Sequence, residues 1–364
     1  MTTSAANTTR STNAGRETRT TLPQRLAERG WLPDAIVRFG IRRLIHGRLA
    51  DEYGDGEADW TRRLDLFRRT LADGPIAESP DTANTQHYEV PAAFYREVLG
   101  PHLKYSSAYW PEGVDDLPDA EAAMLDLTCQ RAGIEDGMDV LDLGCGWGSL
   151  SLWIAERYPR ARVVSLSNSH TQRASIEAAA RARGITSPRV LTSDINDFET
   201  DLRFDRIVSI EMFEHMRNWE ALLARVALWL RPSGRAFVHT FCHRELAYPY
   251  ETERDDDWMA RFFFTGGIMP SVDTIAWFDR DMVVEDQWRV SGTHYAKTAR
   301  AWLDNLDRRR DTILPILEDC YGAGQAETWH GRWRLFFMAC EELFALDGGD
   351  EWFVSQSLLQ PGVP

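Results

Sequence analysis

Residues 138–148 read Met-Asp-Val-Leu-Asp-Leu-Gly-Cys-Gly-Trp-Gly, and the fold is decided here. The first half is a short apolar run of strand character, and helical spacing follows from Ser149 to Tyr158. Glycines at such a handover let the backbone approach a ligand closely and supply the dihedrals of a tight turn. Outward from it, strands are predicted at 162–166, 189–191, 204–210 and 235–241, with helices at 169–183 and 219–230 between them. That alternation predicts βαβ units and an α/β fold with helices on both faces of a largely parallel sheet. After an interruption at 244–281, rich in aromatic and acidic residues, the pattern resumes with a strand at 282–290. Two helices across 298–346 and a last strand at 352–359 complete it.

The chain has 364 residues, a formal net charge of −15 and 43% hydrophobic residues, enough for one α/β core with sizeable additions. The acidic balance excludes a phosphate-tracking nucleic-acid binder, which needs a basic surface. Five cysteines without a CxxC pair point to a reduced compartment, and no apolar run is long enough for a transmembrane helix. Residues 1–20, rich in Thr, Ser and Asn, predict a disordered N-terminus without a signal peptide, hence a cytoplasmic protein. Residues 22–72 read as helices, and within 36–49 Arg38, Arg42, Arg43 and Arg48 interleave with apolar positions. Such a stretch is either a docked helix with a solvated face or a foot on an anionic membrane. Residues 73–84 read as a linker, followed by a helix at 91–99. The predicted layout is therefore a helical N-terminal extension over 21–115, a core over 116–243, an aromatic lid over 244–281, and a C-terminal completion over 282–364.

The glycine turn lacks the last glycine of a dinucleotide fingerprint, and the second strand ends in Ser167-Asn168-Ser169 without the acidic residue that would bind a ribose. Asp142 instead precedes the glycines. A carboxylate there can face an ammonium group, which suits S-adenosylmethionine better than a pyrophosphate.

Several stretches resemble the cyclopropane-fatty-acid and mycolic-acid cyclopropane synthase branch of class I S-adenosylmethionine-dependent methyltransferases. They are HYEVPAAFY (87–95), YSSAYW (105–110), LDLGCGWG (141–148), SLSNSHTQ (165–172), FDRIVSIEMFEHM (204–216), FVHT (237–240) and HYAKT (294–298). The chain is similar, more closely, to the plant coclaurine N-methyltransferase group, which methylates benzylisoquinoline amines. That similarity rests on IEMFEHM, FCHRELAYPYE (241–251), DDDWMARFFFTGGIMPS (255–271), DQWRVSGTHYAKT (286–298), YWPEG (109–113) and DGGDEWFVSQ (347–356). It implies a Rossmann-like doubly wound mixed sheet carrying the helical extension and lid, with S-adenosylmethionine as cofactor and no metal.

Carried over, the family pattern implies that Gly144, Cys145 and Gly146 line the methionine part of the cofactor and that Tyr105 and Ser106 reach its carboxylate end. Ser167 and Gln172 would take the ribose, Asp194 and Ile195 the adenine, and Asp142 the ammonium. The cyclopropane branch holds a bicarbonate with Cys, Glu, His and Tyr; this chain keeps Glu214, His239 and Tyr295 but has Ser107 and Phe241 where that branch has Cys and commonly Ile. Glu211 stands where that branch usually has Gly and the N-methyltransferases have Glu. A protonated amine must lose a proton to expose its lone pair, and Glu211, Glu214 and His215 supply an anchor and a general base at the end of the fourth strand. Trp258, Phe262, Phe263 and Phe264, with Tyr248 and Tyr250, are predicted to wall an apolar, cation-stabilising pocket, which His294 enters by family analogy. The expected partner is a small amine, with an unsaturated acyl lipid and peripheral membrane contact as the alternative; no nucleic acid partner is expected, and a monomer or homodimer is.

Overall fold

The structure, a computed structural model, describes residues 20–78, 90–250 and 258–362. Most of the expected disordered N-terminus, residues 79–84 of the linker, and Asp255, Asp256 and Asp257 lie outside the described residues.

Seven strands form one sheet in the order β3-β2-β1-β4-β5-β9-β8. They are β1 (Asp139–Leu143), β2 (Arg162–Ser167), β3 (Arg189–Thr192), β4 (Phe204–Ile210), β5 (Leu230–His243), β8 (Met282–Val290) and β9 (Trp352–Pro361). β1 to β5 pair in parallel, while β9 runs antiparallel between β5 and β8, which makes the sheet mixed. The strand order reverses between β1 and β4, and in open α/β sheets ligands bind at that switch point, beyond the carboxyl ends of the strands. β1 is buried along Val140–Leu143, as expected of a strand covered on both faces.

Helices cover the sheet where their caps and apolar faces dictate. α5 (Leu117–Ala132) starts at the Asp116 side chain, which accepts the Asp119 N–H, and stops at left-handed Gly133. α6 (Ser149–Arg157) follows the glycine turn, α7 (His170–Ala182) is capped by Ser169, and α8 (Trp219–Trp229) by Asn218. The N-terminal extension supplies α1 (Leu22–Glu28), α2 (Asp34–Tyr53), α3 (Glu57–Thr70) and α4 (Ala92–Val98). Val37, Ile41, Ile45 and Leu49 turn one side of α2 to the core. Arg38 and Arg42 pair with Glu341 and Glu342. Much of the basic character of that helix is thus spent on docking, although Ile36 and Phe39 stay exposed. Among the described residues no helix is long and apolar enough to cross a membrane.

Between β8 and β9 the sequence predicts two helices, but the structure has three: α10 (Gly292–Arg308), α11 (Arg310–Tyr321) and α12 (Ala326–Ala345). The chain turns at Arg309 with neither glycine nor proline, and the Arg309 N–H still bonds Asn305 O, so no punctuation marks the break. α10 also begins earlier than predicted, capped by Ser291, which places His294 and Tyr295 on its first turn rather than on a loop. Among its described residues the lid contains a two-stranded ribbon, β6 (Tyr248–Pro249) with β7 (Ile268–Met269), a short α-helix, α9 (Trp258–Phe262), and a 3-10 turn at Thr274–Trp277.

Candidate functional site

The turn after β1 carries positive φ at Gly144 (83°), Gly146 (51°) and Gly148 (81°). The N–H groups of Gly144 and Cys145 bond Leu166 O at 3.1 and 2.9 Å, tying the turn to β2. A Cβ on Gly144 would lie 2.6 Å from Met212 Cγ, whereas one on Gly146 would meet nothing within 4 Å. Gly144 is therefore fixed by close packing, and Gly146 borders open space.

That space is a groove of about 700 Å³ whose polar lining includes Lys104, Tyr105, Ser106, Asp142, Gln172 and Glu211. Asp142 is buried, accepts the Ser151 hydroxyl at 2.5 Å, and is pushed up to about 6 by burial, against the pull of that hydrogen bond. Ser167 Oγ donates to Gln172 Oε1 at 2.7 Å, which leaves the buried Gln172 amide nitrogen without a partner among the described residues. An orphaned buried donor of this kind marks a place where a ligand acceptor belongs. An adjoining cavity of about 690 Å³ is lined by Ser167, Asp194, Ile195, Met212 and His215, and shares Gly144 and Met212 with the groove.

Glu211, with Tyr105, lines both the groove and a third cavity and so forms a wall between them. Its φ of 49° is unusual for a residue with a side chain, and such strain persists only where surroundings enforce it. Here its N–H bonds His239 O at 2.8 Å across the β4–β5 edge. Its carboxylate accepts the Ser107 N–H at 2.9 Å and the Tyr295 hydroxyl at 2.7 Å, and lies 3.2 Å from His239 Nε2. The histidine's tautomer follows from its neighbours. Arg131 donates to Gln356 Oε1, so the Gln356 amide nitrogen faces His239 Nδ1 at 3.1 Å and donates to it. Neutral His239 then carries its proton on Nε2 and gives it to Glu211. Burial raises the Glu211 carboxyl, but His239, Lys104 and the Ser107 N–H outweigh burial and hold it below its ordinary value.

The following turn presents two further groups. Glu214 is wholly buried; Oε1 accepts the Phe241 N–H at 2.7 Å, and Oε2 has no partner among the described residues. Burial, then the charge of Glu211, pushes Glu214 well above the carboxylate range. His215 stacks on Phe264 (centroids 5.6 Å apart, planes at 4°), and burial lowers it to about 4, so it is neutral at pH 7.

The third cavity, about 720 Å³, is aromatic: Phe241, Tyr250, Phe264, Tyr295, Trp302 and Phe344 line it together with Glu211 and His215. Of the predicted pocket residues, Phe241, Tyr250 and Phe264 are on this wall, and Tyr248 is not. Phe263 is fully buried behind it, stacked on Phe336 at 4.3 Å, and Phe262 packs under the Arg332 guanidinium. Trp258 donates from Nε1 to Glu28 Oε1 at 2.9 Å. These three face α1 and α12; the helix ends at Phe262, and beyond that end Phe264 alone of the three phenylalanines turns inward. Ser107 contributes its backbone N–H while its hydroxyl bonds Ala108 O. His294 accepts the Trp110 N–H at 3.0 Å and packs on Tyr109, away from the cavity lining.

Sequence reasoning missed Trp302, Phe336, Cys340 and Phe344 on the wall, and Lys104 in the groove. The spacing of 336, 340 and 344 along α12 is that of any buried helical face. Lys104 had one visible sign: Lys occurs only at 104 and 297 among 41 basic residues. Among the described residues no group of three or more His, Cys, Asp or Glu is arranged to hold a metal ion.

A family model described as mycolic acid cyclopropane synthetase matches residues 77–351. The (S)-coclaurine N-methyltransferase of Thalictrum flavum subsp. glaucum is 35% identical over 337 residues, covering 92% of this chain and 93% of that protein. The pavine N-methyltransferase of the same plant is 32% identical over 336 residues, covering 92% and 94%. The crystal structure of coclaurine N-methyltransferase bound to N-methylheliamine and SAH (S-adenosylhomocysteine) superposes with a TM-score of 0.89 at 35% identity, covering 93% of this chain and 98% of that one.

Proposed function

This chain belongs to the mycolic acid cyclopropane synthetase family, and from that premise we propose that it is an S-adenosylmethionine-dependent methyltransferase acting on the nitrogen of a small aromatic amine. One observation carries the reading: Glu211 is a wall shared by the glycine-turn groove and the aromatic cavity. Relatives named for N-methylation of coclaurine and pavine support the acceptor class.

The groove fits the cofactor in its own chemistry. Gly146 leaves room beside the backbone, and the orphaned Gln172 amide is a donor for a ribose hydroxyl. Asp142 and Glu211 offer negative charge to an ammonium and a sulfonium. When bound, the cofactor supplies an electrophilic methyl group for in-line displacement.

The chain's residues prepare the acceptor. A protonated amine entering between Phe264, Tyr250 and Phe344 meets aromatic faces that attract a cation, and the Glu211 carboxylate anchors its charge. His215, neutral and on the cavity wall, takes the amine proton as general base, exposing the lone pair. His239 and Tyr295 hold Glu211 in place, and Glu214 ties the turn that presents His215 to the backbone of Phe241. Excluding bulk water from this aromatic cavity strengthens each of these interactions.

We place the enzyme in the cytoplasm, a reading supported by five free cysteines, four of them buried, and expect it to act as a monomer or homodimer. The test is to offer methyl-labelled S-adenosylmethionine with a panel of aromatic secondary amines including heliamine and coclaurine, and separately with vesicles of unsaturated phospholipid. Label in an N-methylated amine is expected. Label appearing in lipid alone would overturn the reading in favour of C-methylation or cyclopropanation of an acyl chain.

A further inference from the structure

The groove beside the glycine turn holds a buried cation to which neither the resemblance nor the relatives assign a role. Lys104 is 3% exposed, and among the residues lining the groove it is the one lysine or arginine; the charges of Glu211, also on that lining, and of Glu121 behind it oppose its own. Burying an ammonium is costly unless it is paired, and this chain otherwise uses arginine almost throughout.

The surrounding structure keeps Lys104 in place. Glu121, buried on α5, accepts the N–H groups of Gly100, His102 and Lys104 at 3.0, 2.9 and 3.3 Å and so fixes the backbone entering the loop. Lys104 Nζ then donates to Ser106 Oγ at 2.5 Å and to Ser107 O at 2.7 Å. An ammonium has three N–H donors. Two are used within the loop, and no partner for the third exists among the described residues. A compact point charge with one donor to spare suits a single carboxylate, whereas a planar guanidinium would need a wider, bidentate partner.

Resting on the reading that this groove takes S-adenosylmethionine, we propose that Lys104 binds the carboxylate of the cofactor's amino-acid end through its remaining N–H. The groove then matches a zwitterion plus a sulfonium by sign: two carboxylates for the ammonium and the sulfur, one ammonium for the carboxylate. The same loop delivers the Ser107 N–H to Glu211, so the residue that reads the cofactor's anionic end also sets the backbone that holds the acceptor's anchor.

Binding calorimetry with two ligands tests this without turnover: S-adenosylhomocysteine, and its decarboxylated analogue, which keeps the amine. Wild type is expected to bind the analogue roughly 10- to 100-fold more weakly than S-adenosylhomocysteine. Lys104→Met is expected to lose that discrimination by weakening for S-adenosylhomocysteine alone. Equal weakening for both ligands, or discrimination retained in the variant, overturns the proposal and leaves Lys104 a loop-building residue. Should Lys104→Met not fold, Lys104→Gln, which keeps a donor for Ser107 without the charge, carries the same comparison. Wild type binding both ligands equally overturns the proposal with no variant at all. Wild type binding neither is a different failure, that of the cofactor reading itself.

Discussion

The glycine-turn groove and the aromatic cavity share Glu211, yet they are built from different material. The groove depends on backbone: left-handed glycines, a turn bonded to Leu166 O, and polar side chains set close to β1, β2 and β4. The cavity depends on side-chain surface gathered from the lid, α10 and α12, and its rings make few hydrogen bonds. A groove that must meet a fixed set of polar atoms tolerates few backbone solutions, whereas an apolar wall can be made from many combinations of rings. Damage to the groove should therefore be felt by every acceptor, and damage to the cavity by particular acceptors only.

The largest effect is expected at the shared wall. Glu211→Gln keeps an oxygen for the Ser107 N–H, sets an amide N–H2 against the Tyr295 hydroxyl, which can accept from it, and removes the charge that anchors the amine. It should lower kcat/KM for an amine by roughly 10²- to 10⁴-fold, while calorimetry shows affinity for S-adenosylhomocysteine within about tenfold of wild type. Near-normal amine turnover in this variant would break the idea of a common wall.

Next is Gly144→Ala. The added Cβ would sit 2.6 Å from Met212 Cγ, on a backbone with φ of 83°. Strain and overpacking predict a loss of roughly 1–3 kcal/mol in denaturant unfolding, with weakened S-adenosylhomocysteine binding whatever amine is present. Phe264→Ala sharpens the contrast from the other side. It removes the ring stacked on His215, so KM for an aromatic amine should rise about tenfold, with S-adenosylhomocysteine affinity unchanged. Loss of cofactor affinity in this variant would show that the two halves do not act separately.

That contrast also accounts for what the sequence disclosed. The groove was legible because its central signal is local: the 141–148 turn can be read within a few residues, while Ser167 with Gln172 and the position of Glu211 came with the family resemblance. The parallel part of the sheet followed from the alternation of strands and helices. The cavity was only half legible. Phe262, Phe263 and Phe264 are identical in type and adjacent, and which of them faces inward is set by how α9 docks on α1 and α12, a long-range fact. Trp302 and Phe344 carry no mark separating a ligand wall from ordinary core. The break at Arg309 was illegible for a related reason, since packing of α10 against α12 turns the chain there without help from glycine or proline. Lys104 lay between these cases: its rarity was visible, its burial was not.

The smallest effect concerns acid stability, where the two regions oppose each other. His215 belongs to the cavity, and burial lowers it from 6.5 to about 4. Between those values the unfolded chain binds a proton that the folded chain does not, so its contribution to stability is lost as pH falls from 6.5 toward 4. Asp142 belongs to the groove, and burial raises it from 3.8 to about 6. Here the folded chain binds the proton first, so acidification from pH 6 toward 3.8 adds stability. Each slope is at most about 1.4 kcal/mol per pH unit, and the two partly cancel in the wild type. Urea unfolding at pH 6.5, 5.5 and 4.5 should show a shallower acid decline for His215→Asn and a steeper one for Asp142→Asn. Parallel declines in both variants would mean that burial does not separate the two regions in this way.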